Sequence, residues 1–202
     1  MISRSHGAQD QWIWLAAVEG EGLRHGSFLD VGCGHPIEGS NTCELERCGW
    51  RGLLVDIDAN PDLERLIVTN RMSPFACADA VTMDWEGLLC WSLPDVVDYL
   101  SFDVDGNAIP AFKNLPLDRV RFRYLTVEHD HYAFGDGPRS LMRATLSGLG
   151  YELLCPDVMC NGLVYEDWWI DPKLVDAKRV DRFRTSQPTE CYDIVRSSRL
   201  LP

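Results

Sequence analysis

The sequence has no long apolar run, since no stretch approaches the roughly 20 residues that a membrane-spanning helix needs. The first seven residues, Met1 to Gly7, also lack the apolar core of a secretion signal. These absences exclude a helical membrane protein. We therefore expect a cytoplasmic location and no membrane partner.

Cysteine pairs at metal-binding spacing are also missing. The chain contains eight cysteines but no Cys-x-x-Cys pair, the spacing typical of zinc sites and dithiol redox motifs. We expect free and mostly buried thiols, which behave as small hydrophobic side chains. A disulfide framework and a cysteine-based metal centre are both disfavoured.

Basic residues are scarce. Lysine and arginine number 19 against 31 aspartates and glutamates, which gives a net charge of -12. An acidic surface repels a phosphate backbone, so we expect no nucleic-acid partner. With 202 residues, of which 46% are hydrophobic, the chain fits one domain with a substantial core.

The most informative stretch is Phe28-Leu-Asp-Val-Gly-Cys-Gly-His35. An apolar strand ends here in a turn that holds Gly32 and Gly34, with Asp30 at its mouth. Glycine has no Cβ, so the chain can bend tightly and leave bare backbone against a ligand. A strand that leads through such a turn into a helix is typical of the nucleotide-binding half of a doubly wound α/β fold.

The turn distinguishes between two ligands. A dinucleotide site needs a third glycine where Ile37 stands, and Pro36 disrupts the helix start that would bind a pyrophosphate. S-adenosylmethionine has no pyrophosphate and needs open backbone beside its amino-acid and ribose parts. The Asp-x-Gly-x-Gly pattern therefore favours S-adenosylmethionine as cofactor.

Two further acids follow strands. Asp56 lies at the end of the second strand, where a carboxylate can accept hydrogen bonds from the two ribose hydroxyls. Asp79 ends a short third strand, from which it can reach the amino group of an adenine. Backbone N–H groups of Ala78 or Ala80 are candidate donors to the same ring.

A second group of acids follows strands four and five. Asp103 and Asp105 alternate at the end of strand four, and strand five ends in Glu128-His-Asp-His-Tyr132. Parallel strands bring these ends to one edge of the sheet, which predicts a reaction site formed by Asp103, Asp105, Glu128 and His129.

The chemistry of this site has two interpretations. Asp103 or His129 can act as the base that takes a proton from an acceptor, with Asp105 and Glu128 orienting the base or the acceptor. Alternatively Asp103, Asp105 and Glu128 can hold a Mg²⁺-type ion, because hard cations prefer carboxylate oxygens. The sequence leaves this choice, and so the metal, open.

The terminal segments complete the predicted domain. We expect an N-terminal helix at 8–26 and a cofactor-binding sheet at 27–155. The remaining segment, 156–202, is predicted to contain a lid, a helix at 173–184 and a last strand at 191–195. Residues 161–165 are predicted to form one arm of an antiparallel hairpin. Trp168 and Trp169 are adjacent, so we expect one of them to cover the substrate or to pair with another chain, which leaves a homo-oligomer open.

The sequence resembles the FkbM-type S-adenosylmethionine-dependent methyltransferases. The matching stretches are Phe28 to Gly34, Gly49 to Ile57, Asp98 to Gly106 and Leu125 to His129, in the order that the family has them. The resemblance implies a class I methyltransferase fold, with a mostly parallel, doubly wound sheet and helices on both faces.

The resemblance also implies cofactor contacts and an acceptor class. The implied contacts to S-adenosylmethionine come from Asp30, Gly32, Gly34, Asp56 and Asp79. The family usually has glutamate followed by proline where this chain has Asp56-Ile57. It consists mostly of O-methyltransferases acting on sugars and other small hydroxyl compounds.

We therefore expect an enzyme that methylates a hydroxyl of a small, sugar-like molecule. One alternative is a non-catalytic binding module of the same fold, which would contact a partner through Trp168 and Trp169. A less favoured alternative is an NAD-dependent oxidoreductase.

Overall fold

A computed structural model describes residues 2–85, 87 and 93–199. In these ranges eight strands form one sheet with the order β3-β2-β1-β4-β5-β7-β6-β8. The strands are β1 (Ser27–Val31), β2 (Arg51–Asp56), β3 (Phe75–Cys77), β4 (Val96–Phe102), β5 (Arg121–Glu128), β6 (Glu152–Cys160), β7 (Leu163–Ile170) and β8 (Thr189–Glu190).

The strand order reverses beside β1. This strand pairs in parallel with β2 on one side and with β4 on the other, and β5 continues the parallel set. Ligands of doubly wound sheets bind outside the carboxyl ends of the strands at such a reversal. The glycine turn that follows β1 lies at this point.

The far half of the sheet contains the antiparallel strands. β7 is antiparallel to both β5 and β6, and β8 adds a short parallel edge to β6. The predicted mostly parallel, doubly wound sheet with a C-terminal hairpin is confirmed, although the hairpin is longer than the sequence indicated.

Helices cover the sheet. They are α1 (Gln9–Ile13), which continues as a π-helix (Trp14–Gly20), α2 (Cys43–Arg47), α3 (Pro61–Asn70), α4 (Ala108–Asn114), α5 (His131–Phe134), α6 (Asp136–Gly148), α7 (Ala177–Val180), which continues as a 3₁₀ turn (Asp181–Phe183), and α8 (Cys191–Ser198). None of the described helices is long and apolar enough to cross a membrane.

Two hydrophobic cores lie on opposite faces of the sheet. Trp168 belongs to one core, where it stacks on Trp12 with ring centroids 4.7 Å apart, and Trp169 belongs to the other. Both are fully buried, because neighbouring strand residues point to opposite faces and helices cover each face. The expectation that one tryptophan covers the substrate or pairs with another chain is wrong.

The C-terminal segment differs from the prediction in two places. The predicted last strand at 191–195 is a helix, α8, whose buried residues Cys191, Ile194, Val195 and Ser198 recur at helical spacing. The predicted helix at 173–184 is limited to α7 and its 3₁₀ turn. The short strand β8 occupies the edge position before α8.

The cysteines agree with the expectation of free thiols. All seven that the structure describes are free, and four of them are buried. The eighth, Cys90, lies outside the described residues.

The N-terminal segment is held against the segment that follows the glycine turn. The Asp10 carboxylate accepts hydrogen bonds from the Ser3 hydroxyl at 2.6 Å and from the backbone N–H of Arg4 at 2.7 Å. Ser5 then forms a parallel bridge with Gly39. These contacts bring His6, which follows Ser5, to the ligand edge of the sheet.

Candidate functional site

A cavity of about 340 Å³ opens at the carboxyl ends of β1, β2, β3 and β4. Six of the nine predicted site residues line it, namely Gly32, Gly34, Asp56, Asp79, Asp103 and Asp105. The other three, Asp30, Glu128 and His129, are buried outside the lining. The structure therefore brings most of the predicted cofactor residues and part of the predicted reaction site to one cavity.

The two turn glycines have different physical roles. A Cβ on Gly32 would lie 1.7 Å from the backbone oxygen of Asp103, so this glycine is required for the close approach of the β1 and β4 ends. A Cβ on Gly34 would meet no atom within 4 Å. Only Gly34 has the open space beside its backbone that the sequence predicted for both glycines.

Asp56 links the turn to the end of β2. Its Oδ2 accepts the Gly34 backbone N–H at 2.8 Å and its Oδ1 accepts the Asp58 N–H at 2.9 Å. A carboxylate oxygen has two lone pairs, so each oxygen keeps one for a ligand hydroxyl. The carboxylate is thereby oriented on the cavity wall by the backbone on both sides.

Asp79 lies on the wall of the cavity after β3. Its Oδ1 accepts the Val81 N–H at 2.8 Å, which holds the side chain in a local turn. The neighbouring Ala78 N–H donates to the Asp56 backbone oxygen at 2.8 Å. Ala78 is therefore not available as a donor to a ligand, contrary to one of the two options that the sequence left open.

Asp30 lies below the turn rather than on the cavity wall. It is 1% exposed, and its Oδ2 accepts the Thr42 hydroxyl at 2.6 Å. Burial raises the pKa of Asp30 to about 6, against the opposing effects of the Thr42 hydrogen bond and the nearby Arg71 charge. The structure does not bring Asp30 to the position of a direct cofactor contact.

Arg71 connects the segments that surround the turn. Its guanidinium donates to the Thr42 hydroxyl at 2.8 Å and to Glu46 Oε2 at 3.0 Å, and the side chain is 1% exposed. It also donates to the Ser40 hydroxyl at 3.2 Å. This buried network fixes the segment between the glycine turn and α2.

The acids of β4 and β5 meet beside the cavity. Asp103 Oδ2 accepts the Tyr165 hydroxyl at 2.7 Å, a bond that joins the β4 end to β7. One carboxylate oxygen from each of Asp105, Glu128 and Asp130 lies within 4.8 Å of the other two. Glu128 and Asp130 are each 3% exposed.

Burial and mutual repulsion perturb these acids. Burial, followed by contact with Asp103 and Asp130, raises the pKa of Glu128 far above its usual range. Burial also raises the pKa of Asp130, whose side chain interacts with Tyr132. No described arginine or lysine forms an ion pair with these acids, whereas Asp171 pairs with Arg121 and Asp167 pairs with Arg143.

His129 does not belong to this group. It follows Glu128 directly, and its side chain lies on the opposite side, with Nε2 3.4 Å from Asp167 Oδ1. Arg143 bonds the same Asp167 carboxylate and also Asp157. His129 is 1% exposed and lines no part of the cavity, so of the two candidate bases, Asp103 and His129, only Asp103 lies on the cavity wall.

Several solved structures resemble this chain. Human methyltransferase-like protein 13, in complex with S-adenosylhomocysteine, matches with a TM-score of 0.57 and 16% identity over 98% of this chain and 92% of that one. The N-methyltransferase NodS from Bradyrhizobium japonicum WM9 matches with a TM-score of 0.51 and 11% identity over 81% and 93%. Magnesium protoporphyrin IX methyltransferase from Synechocystis PCC 6803, with bound S-adenosylmethionine, matches with a TM-score of 0.51 and 15% identity over 81% and 78%.

The chain has the class I methyltransferase fold. The sequence itself matches no family model and no curated protein. At identities of 11% to 16% the likeness establishes the fold alone. The resemblance to the FkbM family stays a prediction.

On this methyltransferase fold, several cavity residues were missed by sequence reasoning. His6 and Gly39 line the cavity, and a Cβ on Gly39 would lie 2.8 Å from the His6 ring. Nothing in the local pattern indicates this contact, because it depends on the Ser5 bridge. Asp130 lies among the acids of β4 and β5, and Tyr165 donates to one of them, Asp103. Of these two residues, Asp130 belongs to the stretch from Glu128 to Tyr132 that the sequence predicts as part of a reaction site, and Tyr165 does not.

The surroundings of the glycine turn bear on the NAD alternative. A pyrophosphate binds at the N-terminus of a helix that follows the turn directly. Here α2 begins only at Cys43 and has five residues, while the chain after Gly34 runs through His35 and Glu38 along the cavity. The described turn therefore lacks the helix terminus that a dinucleotide requires.

Proposed function

We propose that the protein is an S-adenosylmethionine-dependent methyltransferase. The observation that carries this proposal is the open backbone of Gly34 beside the Asp56 carboxylate, in a cavity at the strand-order reversal. The fold is the same as that of proteins named as methyltransferases, two of which are described with S-adenosylhomocysteine or S-adenosylmethionine bound. When bound, the cofactor would supply a methyl group attached to a positively charged sulfur.

The residues present fit this cofactor. The open side of Gly34 gives room for the amino-acid and ribose parts to lie against backbone, and Asp56 keeps lone pairs for the two ribose hydroxyls. Asp79 stands at the next strand end, at the position proposed for the adenine edge. In this proposal Asp30 and Gly32 support the turn from below instead of contacting the cofactor.

We further propose a small, hydroxyl-bearing acceptor such as a sugar. Methyl transfer requires the acceptor oxygen to be held in line with the methyl group, and the hydroxyl must lose its proton. Asp103 is the residue proposed to accept a hydrogen bond from this hydroxyl, because it lines the cavity and is held by Tyr165. Asp105 and Glu128 are proposed to orient the acceptor.

The binding-module alternative loses its basis. It required Trp168 and Trp169 to be accessible to a partner, and both are fully buried. Its second sign was that Asp103 and Glu128 point apart or are buried in helix-cap contacts, whereas Asp103 is near enough to Glu128 to raise its pKa.

Calorimetric titration with S-adenosylhomocysteine and, separately, with NAD tests the cofactor. We expect binding of S-adenosylhomocysteine and no heat from NAD. Binding of NAD alone would reject the methyltransferase proposal in favour of an oxidoreductase.

Incubation of a cell extract with the protein and an isotopically labelled methyl donor, followed by mass spectrometry, tests the acceptor. We expect the label on an oxygen of a small molecule. Label on nitrogen, on protein or on nucleic acid would overturn the acceptor class and leave the methyltransferase proposal intact.

The role of Asp103 has its own test with the acceptor so identified. Asp103→Asn is expected to lower turnover by about 10²- to 10⁴-fold, the range for loss of an acid–base group, with the affinity for S-adenosylhomocysteine kept. The control is Asp193→Asn, which removes the same charge from a side chain that is 63% exposed on α8. If the turnover of Asp103→Asn equals that of the control, Asp103 takes no part in the reaction.

A further inference from the structure

The carboxylates of Asp105, Glu128 and Asp130 form a group that nothing in the described chain neutralises. Glu128 is the last residue of β5, and Asp130 comes two positions later as the residue that precedes α5. Asp105 belongs to the turn after β4 and lines the cavity. One oxygen from each lies within 4.8 Å of the other two.

Two of these side chains are buried without partners for one of their oxygens. Glu128 and Asp130 are each 3% exposed, and Glu128 Oε2 and Asp130 Oδ1 have no hydrogen-bond partner among the described residues. Buried carboxylate oxygens are normally paired with donors or cations. The neighbours of this group are instead other acids and a tyrosine hydroxyl.

A second cluster in the same protein shows the usual arrangement. His129, Asp157 and Asp167 also bring three ligand atoms within 4.8 Å of one another. There, however, Arg143 donates to Asp157 at 2.8 Å and to both oxygens of Asp167 at 2.7 Å. That cluster carries its own cation, whereas no described arginine or lysine pairs with the group at the cavity edge.

We propose that Asp105, Glu128 and Asp130 bind a divalent hard cation of the Mg²⁺, Mn²⁺ or Ca²⁺ class at the edge of the cavity. Oxygens on opposite sides of such an ion are separated by about 4 Å for Mg²⁺ and by about 5 Å for Ca²⁺, twice the metal–oxygen distance. The three carboxylate oxygens are separated by at most 4.8 Å, which is no more than the span of a Ca²⁺ coordination shell. An ion of this class takes six or more oxygens, so about half of its coordination positions remain for water or for a ligand in the cavity.

The position of the ion suits one role. A bound cation next to the cavity would contact hydroxyl oxygens of the acceptor, orient them and lower their pKa. This role rests on the proposed function, whereas the binding itself does not. The ligand set differs from the one that the sequence offered, because Asp130 takes the place of Asp103, which is bonded to Tyr165.

Titration of the chelator-treated full-length protein with Mn²⁺ alone, followed by electron paramagnetic resonance, tests the site. We expect one site with a dissociation constant on the order of 10⁻⁴ M or below, displaced by Mg²⁺ or Ca²⁺. Glu128→Gln and Asp105→Asn are expected to weaken Mn²⁺ binding at least tenfold. Asp105 is exposed, so its variant tests the site even where substitution of the buried Glu128 disturbs folding.

Asp157→Asn is the matched control, since it changes an acid of the cluster that Arg143 neutralises, and it should keep wild-type Mn²⁺ affinity. No Mn²⁺ binding at millimolar concentration, or equal weakening by Asp157→Asn and Asp105→Asn, would overturn the proposal. Binding of methylammonium in place of Mn²⁺ would also overturn it, since the group would then be a site for an organic cation.

The outcomes separate the two proposals. Mn²⁺ binding without affinity for S-adenosylhomocysteine would leave the cation site standing and reject the methyltransferase. Affinity for S-adenosylhomocysteine without Mn²⁺ binding would reject the cation site and leave the methyltransferase proposal standing.

Discussion

A methyl group on Gly34 would enter open space on the wall of the cavity, since a Cβ built there meets no atom within 4 Å. Gly34 has a φ of 55°, in the left-handed region. An alanine in this conformation costs roughly 1–2 kcal/mol. For a chain of this size that loss corresponds to a fall in melting temperature of roughly 2–8 °C, and Gly34→Ala should still fold.

The effect of Gly34→Ala on binding should exceed its effect on folding. The added methyl group would occupy space that the proposed cofactor needs, and forced packing of this kind costs about 1–3 kcal/mol. This predicts a dissociation constant for S-adenosylhomocysteine about 5- to 150-fold higher than that of the wild type. Calorimetry measures the affinity, and a thermal melt measures the stability of the same sample.

Gly150→Ala is the matched control. Gly150 also has a positive φ, 83°, with no atom within 4 Å of its Cβ position, but it follows α6 and does not line the cavity. It should lose similar stability and keep full affinity. If Gly34→Ala binds S-adenosylhomocysteine as tightly as Gly150→Ala does, the proposal that the cofactor lies against Gly34 is refuted.

Two further predictions concern the network below the turn. Arg71→Met leaves the Glu46 carboxylate buried without its cation, so the free energy of unfolding measured in urea should fall by about 3–5 kcal/mol, and a loss below about 1 kcal/mol would contradict this. Asp30, which faces Arg71 and Asp103, keeps its proton in the folded state up to about pH 6, whereas an unfolded aspartate releases it near pH 4. The contribution of protonated Asp30 to the free energy of unfolding is therefore fully present below about pH 4. It falls by about 3 kcal/mol as the pH rises to about 6 and stays constant at higher pH. Asp30→Asn should remove this slope from urea unfolding curves, and identical slopes in variant and wild type would show that the folded-state pKa of Asp30 is not raised.

Much of the site follows from local sequence rules. The glycine turn after an apolar strand and the acids Asp56, Asp79 and Asp103 at later strand ends could be located without a structure. Parallel strands place all their carboxyl ends at one edge, so acids that end such strands meet there. The same reasoning predicted the fold.

Side-chain direction at the end of β5 was harder to predict. The stretch from Glu128 to Tyr132 marks a polar strand end, but alternation alone does not say which face borders the cavity. The structure directs Glu128 and Asp130 toward Asp105, and it directs His129 toward Asp167. His129, one of the two candidate bases, therefore does not face the cavity.

The strand ends, the turn and the types of chemical group at the ligand edge can be located from the amino-acid order, because they depend on backbone rules that act over a few residues. The packing of distant segments is what buries Asp30 beneath the turn, places Trp168 and Trp169 in different cores, and brings the Tyr165 hydroxyl to Asp103. Each of these outcomes depends on which distant segment covers a given face. Contacts between residues far apart in the chain carry that information, and no local pattern does.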